Sequence, residues 1–303
     1  MDVWALCLVI SGALLHATWN LFAKKASGGA PFVWLAGCVS SLTALPCAYF
    51  AWQQQAIPIN LTLLLFIVAS ALVHLIYALT LQTGYQRADF SVVYPLARGT
   101  GPLFSVLAAV VLLGEKPGWL GSLAIAAILL GILFLSDGWR LLQRLITAQS
   151  QAKIATNGPN KSRLRAGLFW GCLTGTMIAA YTVIDGWAIR QLSLAPLLYY
   201  ALSLPIRTLL LAPSALRQPA LLQQQWRVNR HYIIAVGLLS PLAYLLALFA
   251  LQRAPLIYVA PSRELSMLAG LLVAAYFLGE RLSHSRLLGV FFMLAGVCLL
   301  AWR

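Results

Sequence analysis

The chain has 303 residues, of which 61% are hydrophobic and 9% are charged, and its formal net charge is +14. A typical soluble domain is about 45–50% apolar and about 25% charged, so this composition excludes a soluble enzyme, a secreted disulfide scaffold and a disordered chain. The basic residues are scattered among short connections between apolar segments, which indicates membrane topology signals and no nucleic-acid partner.

Ten apolar segments follow one another along the chain. Each is close to the length of about 20 residues that crosses a bilayer, and a helix pairs all of its own backbone polar groups in lipid. We therefore predict helices at about 3–23, 31–52, 61–84, 90–113, 118–136, 167–188, 194–214, 232–251, 256–278 and 286–302. The hydrophilic stretch 137–166 is interpreted as a basic linker between a first domain at 1–136 and a second at 167–303.

The two halves repeat the same order of polar residues, which indicates a duplication because unrelated membrane helices share only their hydrophobicity. The matching residues are Gln86 to Ala88, Pro95, Arg98, Gly114, Glu115 and Gly131 in the first half and Gln252 to Ala254, Pro261, Arg263, Gly279, Glu280 and Gly296 in the second. Because five helices are an odd number, the second copy must enter the membrane from the opposite side. The sequence predicts an all-α integral membrane protein with ten transmembrane helices arranged as two inverted five-helix repeats.

The distribution of Lys and Arg predicts the orientation of these helices. The connections that follow helices 1, 3, 5, 7 and 9 hold fourteen basic residues, whereas the opposite side holds four. By the positive-inside rule the fourteen are cytoplasmic, so we expect both termini to lie outside.

Two arginines occupy equivalent places in the predicted spans. Arg98 lies about eight residues into helix 4, and Arg263 with Glu264 lies at a similar depth in helix 9. A charge near the bilayer centre costs about 2.5–3.5 kcal/mol, so each of these groups needs a partner or a cavity. We predict that both arginines face one cavity and bind an anionic solute. The alternative is that Arg263 forms a structural ion pair with Glu264 or Asp185.

Residues that break helices accompany both arginines. Pro95 and Gly99 flank Arg98, and Pro261 precedes Arg263. A proline removes a backbone donor, and interrupted helices at matching positions mark binding sites in transporters. We therefore expect both helices to be interrupted; alternatively, the prolines only kink their helices to fit their neighbours.

Aromatic and amide side chains complete the candidate solute site. Trp19 and Asn20 in helix 1, Tyr94 in helix 4 and Tyr181 in helix 6 are predicted to contact the solute. Weaker candidates for the same cavity are His74, Tyr77, Tyr199, Tyr200, Arg207 and Tyr244.

A coupling proton has three candidate carriers within the spans. His16 shares a helix face with Asn20, while Asp185 and Glu264 are carboxylates at membrane depth. The alternative is a fixed ion pair for either carboxylate and a packing role for His16.

Two further patterns predict contacts between helices. Glu115 and Glu280 close helices 4 and 9, and we expect each to cap a helix end or to pair with the adjacent Lys116 or Arg281. Helix 6 carries glycines at four-residue spacing, which favours close helix packing inside the monomer or between protomers; they are Gly167, Gly171 and Gly175.

No enzyme motif occurs in the sequence. It contains no Walker-type phosphate loop, no HExxH, no GxSxG and no metal-ligand cluster, so we predict neither catalysis nor a metal nor another cofactor. Without a site for ATP hydrolysis, the energy for any transport must come from a gradient.

Several segments resemble a known family. They are LLHATWNLFAKKA, YPLARGTGPLFSVLAAVVLLGEK, IAAYTVIDGWAIR, PSRELSMLAGLLVAAYFLGERL and LLGVFFMLAGVCLL, and they are similar to the EamA-domain transporters of the drug/metabolite transporter superfamily. The resemblance covers nearly the whole chain outside the linker. It implies a ten-helix carrier in the bacterial inner membrane, which moves a small organic metabolite by alternating access. We expect a monomer or a homodimer in contact with membrane lipid. Many members of the superfamily have both termini in the cytoplasm, whereas the charge distribution here favours periplasmic termini.

The leading functional hypothesis is a secondary active transporter that exports a small polar or anionic organic metabolite, such as an amino acid. Three arginines, Arg98, Arg207 and Arg263, face two acids in the spans, and an anionic solute would balance the excess charge. The alternatives are an importer of an organophosphonate-like anion and, from another class, a membrane-integral factor that transports nothing.

Overall fold

The computed structural model describes residues 1–26, 29–55, 60–140, 143, 159–278 and 283–302. Within these ranges the helices are α1 Val3–Ala26, α2 Gly29–Gln55, α3 Leu61–Arg87, α4 Phe90–Leu113, α5 Trp119–Leu135, α6 Pro159–Arg190, α7 Pro196–Leu216, α8 Pro219–Arg253, α9 Leu256–Ser262, α10 Leu265–Leu278 and α11 His284–Ala301. The all-α class is confirmed, and each predicted span is helical in the residues described. The ninth span is divided between α9 and α10.

Eight of the described helices are long and apolar enough to cross a membrane: α1, α2, α3, α4, α6, α7, α8 and α11. The shorter apolar helix α5 has 17 residues, or about 26 Å at 1.5 Å per residue, just under the thickness of the hydrocarbon core. Large apolar side chains such as Trp4, Leu42 and Val111 are at least 70% exposed. Exposed apolar side chains are favourable where lipid surrounds the protein. The protein is therefore a multi-pass membrane protein.

Two helices begin earlier than the hydropathy of the sequence suggests. The helix α8 starts at Pro219 rather than near 232, and α6 starts at Pro159, inside the stretch expected to be linker. The added turns carry polar residues such as Arg163 and Arg227. Hydropathy detects only the part of a helix that matches lipid, whereas Gln, Arg and Leu have high helix propensity in water as well.

The break between α9 and α10 lies at Arg263 and Glu264. Glu264 N bonds to Pro261 O at 3.1 Å and Met267 N bonds to Glu264 O at 2.8 Å, so the chain tightens into turns of the 3₁₀ type instead of opening. Pro261 lacks an N–H group and its ring crowds the preceding turn, so it weakens the last turn of α9.

The prediction that the helices carrying Pro95 and Pro261 are both interrupted is wrong for α4. In the structure α4 is continuous from Phe90 to Leu113, with Pro95 and Gly99 inside it. A proline removes a single backbone hydrogen bond, and a helix packed along its length can absorb this loss. The interruption is therefore found in one repeat only, at Pro261.

The glycine stripe of α6 packs against α4 within one chain. A Cβ added at Gly167 or Gly171 would lie 2.8 Å from a side-chain atom of α4, and one at Gly175 would lie 2.9 Å from the backbone of Gly101. The stripe meets α4 residues at the same four-residue spacing, namely Val92, Leu96 and Thr100. The glycines thus let the two backbones approach closely, which answers the sequence-based alternatives in favour of packing inside the monomer.

A second close contact joins α5 to α11. The repeat-related glycines Gly131 and Gly296 both lie in it: a Cβ at Gly131 would be 2.8 Å from Met293 N, and one at Gly296 would be 2.8 Å from Ala124 O. Since both obstacles are backbone atoms, a side chain at either position has no room.

The helices group into two compact units. Unit 1 contains Met1–Val3, Val73–Val183 and Ala254–Arg303, and unit 2 contains Trp4–Leu72 and Ile184–Arg253. Each unit draws helices from both halves of the sequence. The sequence repeats are therefore not separate packing units.

Candidate functional site

An arginine and a glutamate from the two halves of the chain meet in unit 1. Arg98 Nη1 donates to Glu264 Oε2 at 3.1 Å and lies 3.5 Å from Oε1. The side chain of Arg98 is 24% exposed and that of Glu264 is 11% exposed. Arg98 lies within α4 and Glu264 lies at the break between α9 and α10, both in apolar spans, so this pairing offsets much of the cost of placing the two charges there.

The position of this pair corrects the sequence-based pairing of residues between the repeats. Matching by residue type sets Arg98 opposite Arg263, but Arg98 and Glu264 each lie three residues after the proline of their own half. Counting from Pro95 and Pro261 therefore makes Arg98 and Glu264 equivalent positions. The carboxylate of Glu264 thus bonds to Arg98, a partner that the sequence analysis did not consider.

An aromatic ring lies beside Arg263, and two further rings pack against this ring. Its Cζ atom lies 5.9 Å from the centroid of the Tyr181 ring, a distance at which a cation–π attraction contributes about 0.5–2 kcal/mol. Tyr181 stacks on His74 with centroids 4.0 Å apart, and Tyr77 meets Tyr181 edge to face at 5.6 Å. This group therefore gives Arg263 a rigid aromatic support.

Tyr94 supports Arg98 in a similar way. It precedes Arg98 by one helical turn, and the Arg98 Cζ atom lies 5.8 Å from its ring centroid. A Cβ added at Gly99 would meet nothing within 4 Å, so there is open space at Gly99. We refer to Arg98, Arg263 and Glu264 as the charged cluster.

Glu115 holds the beginning of α9. Its Oε1 accepts from Leu256 N at 3.0 Å and its Oε2 accepts from Ile257 N at 2.8 Å. The sequence analysis expected Glu115 to cap a helix end or to pair with Lys116, and it does cap a helix end, but that of a helix in the other half of the chain. Its counterpart Glu280 lies outside the described residues.

Unit 2 contains a fully buried carboxylate, Asp185 of α6. Tyr199 of α7 donates to Asp185 Oδ1 at 2.6 Å, Tyr244 of α8 donates to Oδ2, and Ser70 of α3 is a further hydrogen-bond partner. Asp185, Ser70 and Tyr199 each have no exposed surface. A buried carboxylate needs such donors because its desolvation is otherwise costly.

Arg207 lies in the same unit and within electrostatic range of Asp185. Its Nη2 donates to Ser203 Oγ at 3.1 Å, and its Cζ lies 5.3 Å from the centroid of the Tyr200 ring. Tyr200 in turn lies 5.0 Å from Tyr244, which contacts Asp185. These contacts join the cation and the carboxylate into one network.

The candidate residues of α1 belong to unit 2 and make local contacts. Asn20 Nδ2 donates to the backbone oxygen of His16 at 2.7 Å, and the His16 and Trp19 rings meet edge to face at 5.0 Å. Trp19 also packs against the core cluster that contains Phe32 and Ile233. Its buried Nε1 has no hydrogen-bond partner among the described residues.

The predicted site residues thus fall into two groups. The structure brings together Arg98, Arg263, Glu264, Tyr94, Tyr181, Pro95, Gly99 and Pro261 in unit 1, and it places His16, Trp19, Asn20 and Asp185 in unit 2. Sequence reasoning missed Ser70 as a partner of Asp185, and it missed that the helix capped by Glu115 is α9. A hydroxyl in an apolar helix and an acid just past a helix end are weak signals, because each has a common structural explanation. Among the described residues no group of His, Cys, Asp and Glu could hold a metal ion.

A family model matches both halves of the chain. The model of the EamA-like transporter family matches residues 3–137 and again residues 165–302. The chain belongs to the EamA-like transporter family. It is a transporter rather than an enzyme, and its two EamA-like domains are the repeated halves seen in the sequence.

A solved structure supports the fold. A protein described only as "Crystal structure of protein" superimposes with a TM-score of 0.72 at 14% sequence identity, and the match covers 100% of this chain and 98% of that chain. At this identity the likeness concerns the fold alone. No curated protein sequence matches the chain significantly.

Proposed function

We propose that this EamA-like transporter is a secondary active exporter of a small polar or anionic organic metabolite, such as an amino acid, that works by alternating access. The charged cluster carries the proposal: two guanidinium groups and one carboxylate lie in the apolar spans of unit 1, Arg98 within α4 and Arg263 with Glu264 at the break between α9 and α10. A solute carboxylate would balance the excess positive charge, and Glu264 would suit an ammonium group on the same solute.

The surroundings of the cluster support a small solute. Tyr94 lies against Arg98 and Tyr181 lies against Arg263. Both tyrosines lie in helices, whose backbone polar groups are already hydrogen-bonded to one another. Side chains must therefore provide the groups that recognise a solute. Aromatic faces would contact the carbon skeleton while the charged groups hold its polar ends.

A stabilisation screen tests the substrate class. The purified protein in detergent is heated with amino acids, dicarboxylates, phosphonates, amines and neutral sugars at two pH values, because a ligand that binds the folded state raises its melting temperature. We expect zwitterions or anions to stabilise the protein. The stabilisation should disappear in Arg263→Gln and persist in Arg163→Gln, a control arginine that is 58% exposed and paired with Asp89.

The coupling ion is proposed to be a proton, with Asp185 as its carrier. The partners of Asp185 are the hydroxyls of Ser70, Tyr199 and Tyr244, which can donate to a carboxylate and accept from a carboxylic acid, with Arg207 within electrostatic range. Glu264 is instead paired with an arginine, which can only donate. Asp185→Asn should therefore retain solute binding and lose proton-driven accumulation, whereas proton-driven uptake by this variant would exclude Asp185.

The proposed location is the bacterial inner membrane, with both termini in the periplasm. The excess of Lys and Arg on one side supports this orientation. A reporter enzyme that is active only in the periplasm, fused after the last residue, should be active. Activity of a cytoplasm-specific reporter at the same place would reverse the orientation.

The alternative function is import of an organophosphonate-like anion, and the same excess of guanidinium groups supports it. Sided vesicles separate the two directions. Inside-out membrane vesicles accumulate an exported solute, whereas right-side-out vesicles accumulate an imported one. Absence of flux for every stabilising compound in both kinds of vesicle would favour a factor that transports nothing.

A further inference from the structure

The short helix α9 has no local feature that holds its first turn in place. It has seven residues, and isolated helices much shorter than about 12 residues are marginal in water. Its N-cap residue is Pro255, which makes no side-chain hydrogen bond to the helix. The first N–H groups of α9 therefore depend on an acceptor from elsewhere in the chain.

Glu115 is that acceptor, and the end of α4 directs it there. The C-cap residue Gly114 has φ 66°, a left-handed conformation that glycine adopts without strain. Glu115 N then bonds back to Ala109 O at 3.0 Å, which fixes the residue just beyond the helix. Its two carboxylate oxygens bond separately to Leu256 N and Ile257 N, so both the distance and the direction of α9 are constrained.

The other end of α9 is tied to the same helix. Glu264 lies two residues after Ser262, the last residue of α9, and its carboxylate bonds to Arg98 in α4. The short helix is thus held at its start by the residue after the α4 C-cap and at its end by a side chain within α4. A displacement at the start of α9 would shift Glu264 relative to Arg98, because two turns of helix transmit it directly.

We propose that Glu115 is a positioning residue for the charged cluster: by holding the first turn of α9 it places Glu264 against Arg98. Glu115 is not assigned contact with a solute. The proposal rests on the proposed function only for the statement that the cluster receives a solute; the mechanical link is tested without any transport.

A double-mutant cycle of melting temperatures tests the link in the purified protein. Glu264→Gln is measured in the wild-type background and in the Glu115→Ala background, with Glu115→Gln as a milder second background should alanine prevent folding. If Glu115 positions the pair, the loss in melting temperature caused by Glu264→Gln should fall to less than half in either Glu115 variant. Equal losses would mean that the two contacts act independently and would overturn the proposal.

Two controls separate positioning from general damage to the fold. Asp137→Asn removes an acid of unit 1 whose contacts are Arg140 and Arg286, and in that background Glu264→Gln should retain its full effect. Pro255→Asp adds a local cap to α9 in the Glu115→Ala protein, since Pro255 is already the N-cap residue of this helix. It should raise the melting temperature without restoring the dependence on Glu264. Restoration of that dependence would show that any cap suffices and would overturn the role of Glu115.

Discussion

Neutralising Glu264 is the most informative single change to the charged cluster. Glu264→Gln keeps the size of the side chain but leaves Arg98 facing an amide in an apolar region. Removing one partner of a fully buried ion pair costs about 3–5 kcal/mol, and loss of an exposed pair costs about 0–1 kcal/mol. The two side chains are 24% and 11% exposed, so an intermediate cost of about 2 kcal/mol is expected.

Thermal unfolding in detergent, followed by intrinsic tryptophan fluorescence, measures this cost. On the scale of a domain of 150–250 residues, about 2 kcal/mol lowers the melting temperature by about 4–8 °C. The matched control is Asp89→Asn, which removes an ion pair of 3.3 Å whose partners are 58% and 52% exposed. This control should lower the melting temperature by less than Glu264→Gln does, and by no more than about 4 °C.

Reversing both charges completes the experiment. Arg98 and Glu264 hold equivalent positions after their prolines, so the double variant Arg98→Glu with Glu264→Arg should recover most of the stability that either single reversal loses. A neutral effect of Glu264→Gln, or a double reversal that is no more stable than the single ones, would refute the reasoning that this pair stabilises unit 1.

Three other predictions concern packing, the buried carboxylate and the end of the chain. Gly296→Ala should lower the melting temperature, because its Cβ would lie 2.8 Å from a backbone oxygen and overpacking costs about 1–3 kcal/mol; Gly270→Ala, whose Cβ meets nothing within 4 Å, should not. Tyr199→Phe should destabilise the protein by about 1–3 kcal/mol in chemical unfolding, because it removes a hydroxyl from the fully buried Asp185, and a variant as stable as the wild type would contradict this role. Limited proteolysis of sealed, inside-out vesicles should leave a C-terminal tag protected in the lumen, and its cleavage would contradict periplasmic termini.

The sequence was sufficient to predict most of the fold. Apolar segments of about 20 residues have one favourable solution in lipid, so the helices could be placed without any tertiary information. The predicted helix ends were wrong where a helix continues into a polar segment, as at the start of α8. Hydropathy detects the residues that suit lipid and not the full length of the helix. The division at Pro261 was expected, whereas the continuity of α4 through Pro95 depends on packing against α6 that no local pattern reveals.

The candidate site could be predicted in composition but not in its pairings. Charges in apolar helices are costly, and this alone identified Arg98, Arg263, Glu264 and Asp185. Which acid pairs with which base depends on how the helices of the two halves pack together. The arginine follows its proline by three residues in the first half and by two in the second, and this shift concealed the equivalence of Arg98 and Glu264. That Glu115 caps a helix was expected, but which helix it caps could not be anticipated, because Leu256 N lies 141 residues away in the chain.

Solute flux through reconstituted vesicles tests the central claim most directly. Proteoliposomes are loaded with the compound that stabilises the purified protein most, and counterflow of its radiolabelled form is measured for the wild type, Arg263→Gln and the control Arg163→Gln. If the charged cluster binds the solute, Arg263→Gln should lose at least nine tenths of the flux that the wild type and the control both show, on the order of the 1.4 kcal/mol that corresponds to a tenfold change. Undiminished flux in Arg263→Gln, with the protein folded and correctly inserted, would contradict the account.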